Sequence, residues 1–386
     1  PMEPARRFGL SLCPMKDPLS AFDALTPALL LQLRSQLEAW YAVEARPLPW
    51  REDVSPYHTL LSEIILQQTR VDQGMAYYHR FVERFPTIEA LAEATEDEVL
   101  LLWQGLGYYS RGRNLRKAAQ IIVSDFGGRI PDTPEELAKL PGIGPYTRGA
   151  ILSFAYHKPY PAVDGNVYRV LSRLFALDIP IDTTRGQRLF FQLAERLVDP
   201  SAPSAFNQGL IELGALVCTP RKPKCLTCPL AELCQVRLLG LEPESLPVKQ
   251  GKTKVRPRHM YYFLIRLRAE EDTTSLFIRR RGEGDIWAGL YELPLIESGE
   301  EALSEETLLQ HPTLAQWLAG LIRPRLHASP LATRTHLLSH RRISASLYLI
   351  EAEGIREALP FLLIPETERT AYAFPTLIEA LLARVG

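Results

Sequence analysis

The chain has 386 residues, 46% of them hydrophobic, with 44 Lys+Arg against 45 Asp+Glu. That length predicts two or three domains, and no apolar run approaches the ~20 residues that cross a bilayer, so no membrane partner is expected. A net charge of −1 argues against a generic polycation and leaves polyanion binding to local basic patches. Such patches occur at Arg111, Arg113, Arg116, Lys117 and Arg129, at Arg221, Lys222 and Lys224, and at Lys249, Lys252, Lys254, Arg256 and Arg258.

Residues 1–20 carry Cys13 but no apolar core segment, and read as a loose tail rather than a signal peptide. Leu29, Leu30, Leu33, Leu37 and Trp40 recur at helical spacing and predict a first helix over 22–45. Pro47 and Pro49 interrupt the pattern just before Trp50-Arg51. A helix over 57–74 packs Leu60, Leu61, Ile64, Ile65 and Leu66, while Glu63 and Gln67-Gln68 project elsewhere. Tyr77–Phe85 continues helically, and Thr87–Ala94 and Glu96–Trp103 are short helices with acidic starts. Gly105-Leu106-Gly107-Tyr108-Tyr109 is a glycine-bracketed turn that presents two aromatics, and Asn114–Phe126 is helical.

Leu140 to Thr147 reads Leu-Pro-Gly-Ile-Gly-Pro-Tyr-Thr, a tight turn between two helical patterns. Gly142 and Gly144 can take positive φ there and turn backbone N–H groups outward, which makes a seat for a phosphate. Val163-Asp164-Gly165-Asn166 follows, offering one carboxylate beside one amide. A helix over 167–175 is expected to carry Arg169 and Arg173 on its outer face. Helices over 187–197 and 205–217 complete an all-α region.

Cys218, Cys225, Cys228 and Cys234 fall within seventeen residues. With no secretory signal, that clustering favours metal over disulfides. Four thiolates fit either tetrahedral zinc or a cubane iron–sulfur cluster, and the spacing does not choose. Residues 236–257 read as a linker rich in Pro, Lys and Arg. From 258 onward the period becomes two, at Tyr261–Ile265, Ser275–Arg279 and Ser344–Ile350, with turns at Gly282, Gly284 and Gly289 and helices near 312–322 and 375–384. This is a second domain of α+β type.

Together, the motifs Pro49-Trp50-Arg51, Ser62 to Thr69, Gly105 to Tyr109, Leu140 to Tyr146, Val163 to Val167 and the four cysteines resemble the helix–hairpin–helix DNA glycosylases of the endonuclease III superfamily, and within them the MutY-type adenine glycosylases. The resemblance implies an all-α catalytic region over 21–235. Its six-helix-barrel part spans about 53–158, and its iron–sulfur part takes 21–52 and 159–235. It also implies that the cysteines hold a 4Fe–4S cluster. Trp287-Ala288-Gly289-Leu290-Tyr291-Glu292-Leu293-Pro294 and His336 to His340 resemble a Nudix-like domain over 258–386. No R-E-x-x-E-E run follows Pro294, so this domain is expected to bind rather than hydrolyse.

The implied chemistry is cleavage of the N-glycosidic bond of adenine mispaired with 8-oxoguanine or G, after the nucleotide is flipped out of duplex DNA. Glu63 would be the acid that protonates adenine, and Asp164 the carboxylate that stabilises or attacks the oxocarbenium ion. Tyr146 would be a positioner, and Asn166 a hydrogen-bond partner of the base or of Glu63. Arg46, Trp50, Arg51 and Leu66 resemble the adenine pocket. Gln68 and Tyr108, with Thr69 and Leu106 beside them, resemble the residues that enter the base stack. Gly142 and Gly144 would hold a phosphate, and Ser339 and His340 would read the lesion. Bifunctional relatives carry a Schiff-base lysine where this chain has Tyr146, which implies a monofunctional enzyme. The alternatives are a glycosylase/lyase for oxidised pyrimidines and a non-catalytic iron–sulfur DNA-binding protein. The resemblance further implies a monomer, cytoplasmic and nucleoid-associated in a bacterium, nuclear or mitochondrial in a eukaryote.

Overall fold

The computed structural model describes residues 20–23, 25–251, 255–268 and 274–385. Residues 1–19 of the expected tail, with Cys13, and Lys252 and Lys254 of the third basic patch, lie outside them. The chain divides into two compact units. One joins the described residues through Ala92 to Lys117–Gly251, and the other joins Glu93–Arg116 to those from Val255 onward. No described helix is long and apolar enough to cross a membrane.

The first unit is helical. Thr26, Ser55, Thr133, Asp164 and Thr183 each cap a helix by accepting a backbone N–H three residues on. Proline opens the helices after the first three of these caps, where its missing donor costs nothing. Leu33 and Leu37 of the Pro27–Glu44 helix pack against Leu171, Phe190, Phe206 and Leu213 of three later helices.

Three expectations need correction here. The helix predicted over 57–74 ends at Leu66, and a new one starts at Val71. Gln68 sits at φ 56 in the break. The two helices close up because Gly74 offers no side chain where a Cβ would stand 2.8 Å from Leu66. Arg169 and Arg173, expected on an outer face, are 9% and 3% exposed. Backbone carbonyls satisfy them: Arg169 donates to Cys218 (2.7 Å) and Gly214 (2.8 Å), and Arg173 to Thr219 (2.7 Å), Pro220 (3.1 Å) and Leu246 (3.1 Å). Finally, the expected linker stays docked as far as Gly251. Leu246 is buried against Ala176 and Val236, Val248 accepts from the Ile181 N–H (3.0 Å), and Asp182 accepts from the N–H of Gln250 (2.9 Å) and of Gly251 (2.8 Å).

The second unit is built on the Arg256–Arg268 strand, which runs parallel to Arg341–Ala352 and antiparallel to Thr274–Arg280 and Leu295–Ser298. Both faces of this strand are covered, so its side chains alternate between two cores. Met260, Tyr262 and Leu264 pack toward the Thr376–Leu382 helix, and Tyr261, Phe263 and Ile265 toward the Pro312–Ala319 helix. After Pro294 the chain forms the Leu295–Ser298 strand. Glu93–Arg116, placed in the all-α region by the sequence, groups with this unit.

Candidate active site

Six segments of the first unit meet around a cavity of about 570 Å³. Helices Pro49–Glu52 and Pro56–Leu66 bring Trp50, Arg51, Glu63 and Leu66, and the break that follows brings Gln67, Gln68 and Thr69. The helix Pro145–Ala150 brings Tyr146, and the start of Gly165–Leu174 brings Asp164 and Asn166. Pro203–Leu216 brings Gln208 and Glu212. The hairpin before Tyr146 turns at Gly142, whose φ is 81°. Gly144 instead has φ −79° as the residue before the helix, so the expectation of positive φ fails there. Its missing side chain leaves open space. Gly149 lets the hairpin helix meet the loop before Asp164, since a Cβ there would lie 2.1 Å from the Pro161 carbonyl. Buried Asn207 fastens that loop by accepting from the Ala162 N–H and donating to the Tyr160 carbonyl, both at 3.0 Å.

The two carboxylates sit in different surroundings. Glu63 is 8% exposed on an apolar helix. Burial pushes its carboxyl up to about 7; the Tyr146 hydroxyl, which donates to it, and Arg51 pull down, and Asp164 pushes up. Asp164 accepts from the Val167 N–H (2.8 Å) and from Asn166 Nδ2 (2.7 Å). Burial raises the Asp164 carboxyl on balance too, but these two donors and the Arg169 charge favour its anionic form. Glu63 is therefore the group that keeps a proton near neutrality. The hydrogen bonds continue outward, because Arg169 Nη2 donates to Asn166 Oδ1 (2.8 Å). Asn166 is thus bound to Asp164 and Arg169, not to Glu63. Gly214 makes room for it, since a Cβ there would stand 2.5 Å from Asn166 Cβ.

Sequence reasoning missed Glu212. Its side chain is fully buried and receives Arg46 Nε (2.7 Å) and Arg51 Nη2 (2.9 Å). Burial alone would raise its carboxyl, yet the two arginines hold it at about 2. Arg51 also donates to Gln208 (2.9 Å). The available signal was a lone acid in the apolar run Leu210-Ile211-Glu212-Leu213.

Outside the cavity, Tyr108 is 49% exposed at φ 45. Leu106 is 6% exposed, so its expected role at the DNA surface does not fit; its carbonyl is held by Arg111 (3.3 Å). Ser339 and His340 are exposed on the tight turn between strands Ala332–Leu337 and Arg341–Ala352, with Ser339 Oγ 3.3 Å from His340 Nδ1.

Cys218, Cys225, Cys228 and Cys234 line a second cavity of about 300 Å³ with Val217, Ala231 and Val236. Among the described residues no three of His, Cys, Asp and Glu stand close enough to hold one metal ion. Four thiolates lining one cavity suit either a tetrahedral zinc or a cubane iron–sulfur cluster. Burial pushes the Cys228 thiol up to about 12, so thiolates here call for a bound cation. Arg173 Nη1 reaches Cys218 Sγ at 3.5 Å, a contact that would tune such a cluster.

A buried carboxylate pair beside a helical hairpin, with a four-cysteine cavity in the same unit, defines a helix–hairpin–helix DNA glycosylase. Residues 61–190 match the HhH-GPD superfamily of base excision DNA repair proteins, 218–234 the iron-sulfur binding domain of endonuclease III, and 262–384 the NUDIX domain. The cofactor is accordingly a 4Fe–4S cluster. Human adenine DNA glycosylase is 34% identical over 371 residues, covering 83% of this chain and 67% of its own length. The Schizosaccharomyces pombe adenine DNA glycosylase is 33% identical over 382 residues, covering 84% and 83%. A solved thermostable thymine-DNA glycosylase superposes with a TM-score of 0.50 at 28% identity, over 54% of this chain and 98% of that one. The chain belongs to the adenine DNA glycosylase family.

Proposed function

We propose that this enzyme removes adenine paired with 8-oxoguanine or G from duplex DNA, as a monomer and without a lyase step. The observation that carries this is the pairing, in one cavity, of a carboxyl pushed up to about 7 with a carboxylate fastened by several donors. Adenine leaves poorly as an anion. Glu63 gives its proton to adenine N7, the C1′–N9 bond breaks with its electron pair going to the base, and Asp164 faces the cation that develops at C1′. Water then adds at C1′ and returns a proton to Glu63. Tyr146 holds Glu63 through its hydroxyl, and Asn166 orients Asp164.

Arg46, Arg51 and Trp50 shape the end of the cavity that receives the base, with Glu212 fixing both arginines, and Leu66 packs on its wall. Gln68, with Thr69 beside it, and Tyr108 enter the stack from two strained turns, the positive φ supplying an outward-facing side chain. The open backbone at Gly142 and Gly144 seats a phosphate. Ser339 and His340 read the lesion edge. The 4Fe–4S cluster, held by the four cysteines, stiffens the loop that carries Arg221, Lys222 and Lys224, a backbone contact for DNA.

The test is single-turnover cleavage of duplexes carrying A:8-oxoG, A:G or a thymine glycol pair, with and without alkali. Adenine release from the first two, with breaks only after alkali, is expected. Strand breaks in neutral buffer would overturn the monofunctional assignment. Unaltered release by Glu63→Gln and Asp164→Asn would overturn the mechanism.

A further inference from the structure

In the second unit the turn that presents Tyr108 is rigid by construction. Trp103 Nε1 donates to the Gly107 carbonyl (3.0 Å), the Gly105 N–H donates to the Tyr109 hydroxyl (3.1 Å), and Arg111 donates to the Gly107 carbonyl (3.1 Å). The Arg111 guanidinium lies 5.2 Å from the Trp103 ring and 5.7 Å from the Tyr108 ring. The turn therefore moves with the two helices that flank it. Those helices are gripped by the segment around Gly289. Arg280 Nη2 lies 3.0 Å from Glu96 and 3.0 Å from Asp97. The Tyr291 hydroxyl donates to Asp97 (3.1 Å), and Arg113 donates to the Ala288 carbonyl. Gly289 fits between them, its φ at 82° and an added Cβ only 2.9 Å from Glu96.

An exposed ion pair contributes little to stability, and Arg280, Glu96 and Asp97 all reach solvent. Several such contacts around a close-fitting glycine serve better to fix one orientation. We propose that Arg280, Tyr291 and Arg113 are positioning residues through which the Nudix-like domain sets the placement of Tyr108, so that this domain governs insertion into the base stack as well as lesion contact. The proposal rests on the reading of Tyr108 as a base-stack residue. It does not require that adenine be the base released.

The experiment uses the full chain and duplexes with 2-aminopurine beside the base opposite adenine. Fluorescence reports unstacking, and titration reports affinity. Arg280→Glu puts like charges against Glu96 and Asp97 and is expected to cut the unstacking signal and the affinity about tenfold. The double variant Arg280→Glu with Asp97→Arg is expected to restore both to within about twofold, as a restored cross-contact should. In a Tyr108→Ala background, Arg280→Glu is expected to add no further loss.

Three results would overturn the proposal: a full unstacking signal in Arg280→Glu, an equal loss with Tyr108→Ala present, or no rescue by the charge swap. The last two would assign Arg280 to direct phosphate contact. If Arg280→Glu does not fold by thermal melting, Arg280→Gln takes its place with the same criteria. Neither readout depends on base release, so an enzyme that left A:8-oxoG uncut would refute the substrate assignment and leave this test standing.

Discussion

Glu63→Gln should make the protein more stable as well as inactive, and the gain should depend on pH. Glutamine keeps the side-chain volume and an oxygen that can accept from Tyr146. It removes only the ionisable carboxyl. The folded chain holds that proton up to about 7, while an ordinary glutamate loses it near 4.5. Between those values the folded state binds more protons than the unfolded state, so stability falls as pH rises. The contribution is intact below 4.5 and gone above 7. At about 1.36 kcal/mol per pH step, the interval amounts to roughly 3 kcal/mol. Wild type and Glu63→Gln should therefore match near pH 4, and the variant should lead by about 3 kcal/mol near pH 8. Urea unfolding at several pH values, followed by the visible absorption of the cluster, reads the unit that holds Glu63. A difference that does not change with pH, or a wild type that gains on the variant as pH rises, would refute the reasoning. The single-turnover rate of wild type should fall above about 7 for the same reason, since the acid must carry its proton.

Glu212→Gln leaves Arg46 and Arg51 short of a charge partner in a buried setting and should cost about 3 kcal/mol at neutral pH. Because the Glu212 carboxyl is held at about 2, below its usual 4.5, this contribution is present above 4.5 and lost as pH falls toward 2; acid unfolding curves should show the gap closing. Gly214→Ala has no space for its methyl beside Asn166, so it should turn Asn166 off Asp164 and slow single-turnover cleavage by about ten- to a hundredfold. Cluster absorption should persist in that variant. Tyr146→Lys should gain borohydride-trappable adducts and strand breaks without alkali, which gel electrophoresis would detect.

What the sequence made legible was chemistry confined to short, conformationally demanding stretches. Gly142, Asp164 as a helix cap, and the four cysteines each carry a local physical reason visible in a few residues. Glu63 was legible only through the motif Ser62 to Thr69 that carries the family resemblance; by itself an acid on a largely apolar helix reads equally as a half-exposed one. What stayed hidden depends on partners that arrive from far along the chain. Periodicity placed Arg169 and Arg173 outside because it treats charge as a demand for water. In the fold that demand is met by carbonyls at Gly214, Cys218, Thr219, Pro220 and Leu246. The carbonyls of Cys218, Thr219 and Pro220 lie where the chain leaves helix Pro203–Leu216 for the cysteine loop. The same loop that binds the cluster thus supplies acceptors to Arg169, and Arg169 steadies Asn166 against Asp164. Loss of the cluster should for this reason loosen Asp164, a coupling carried by backbone oxygens that no side-chain pattern can display.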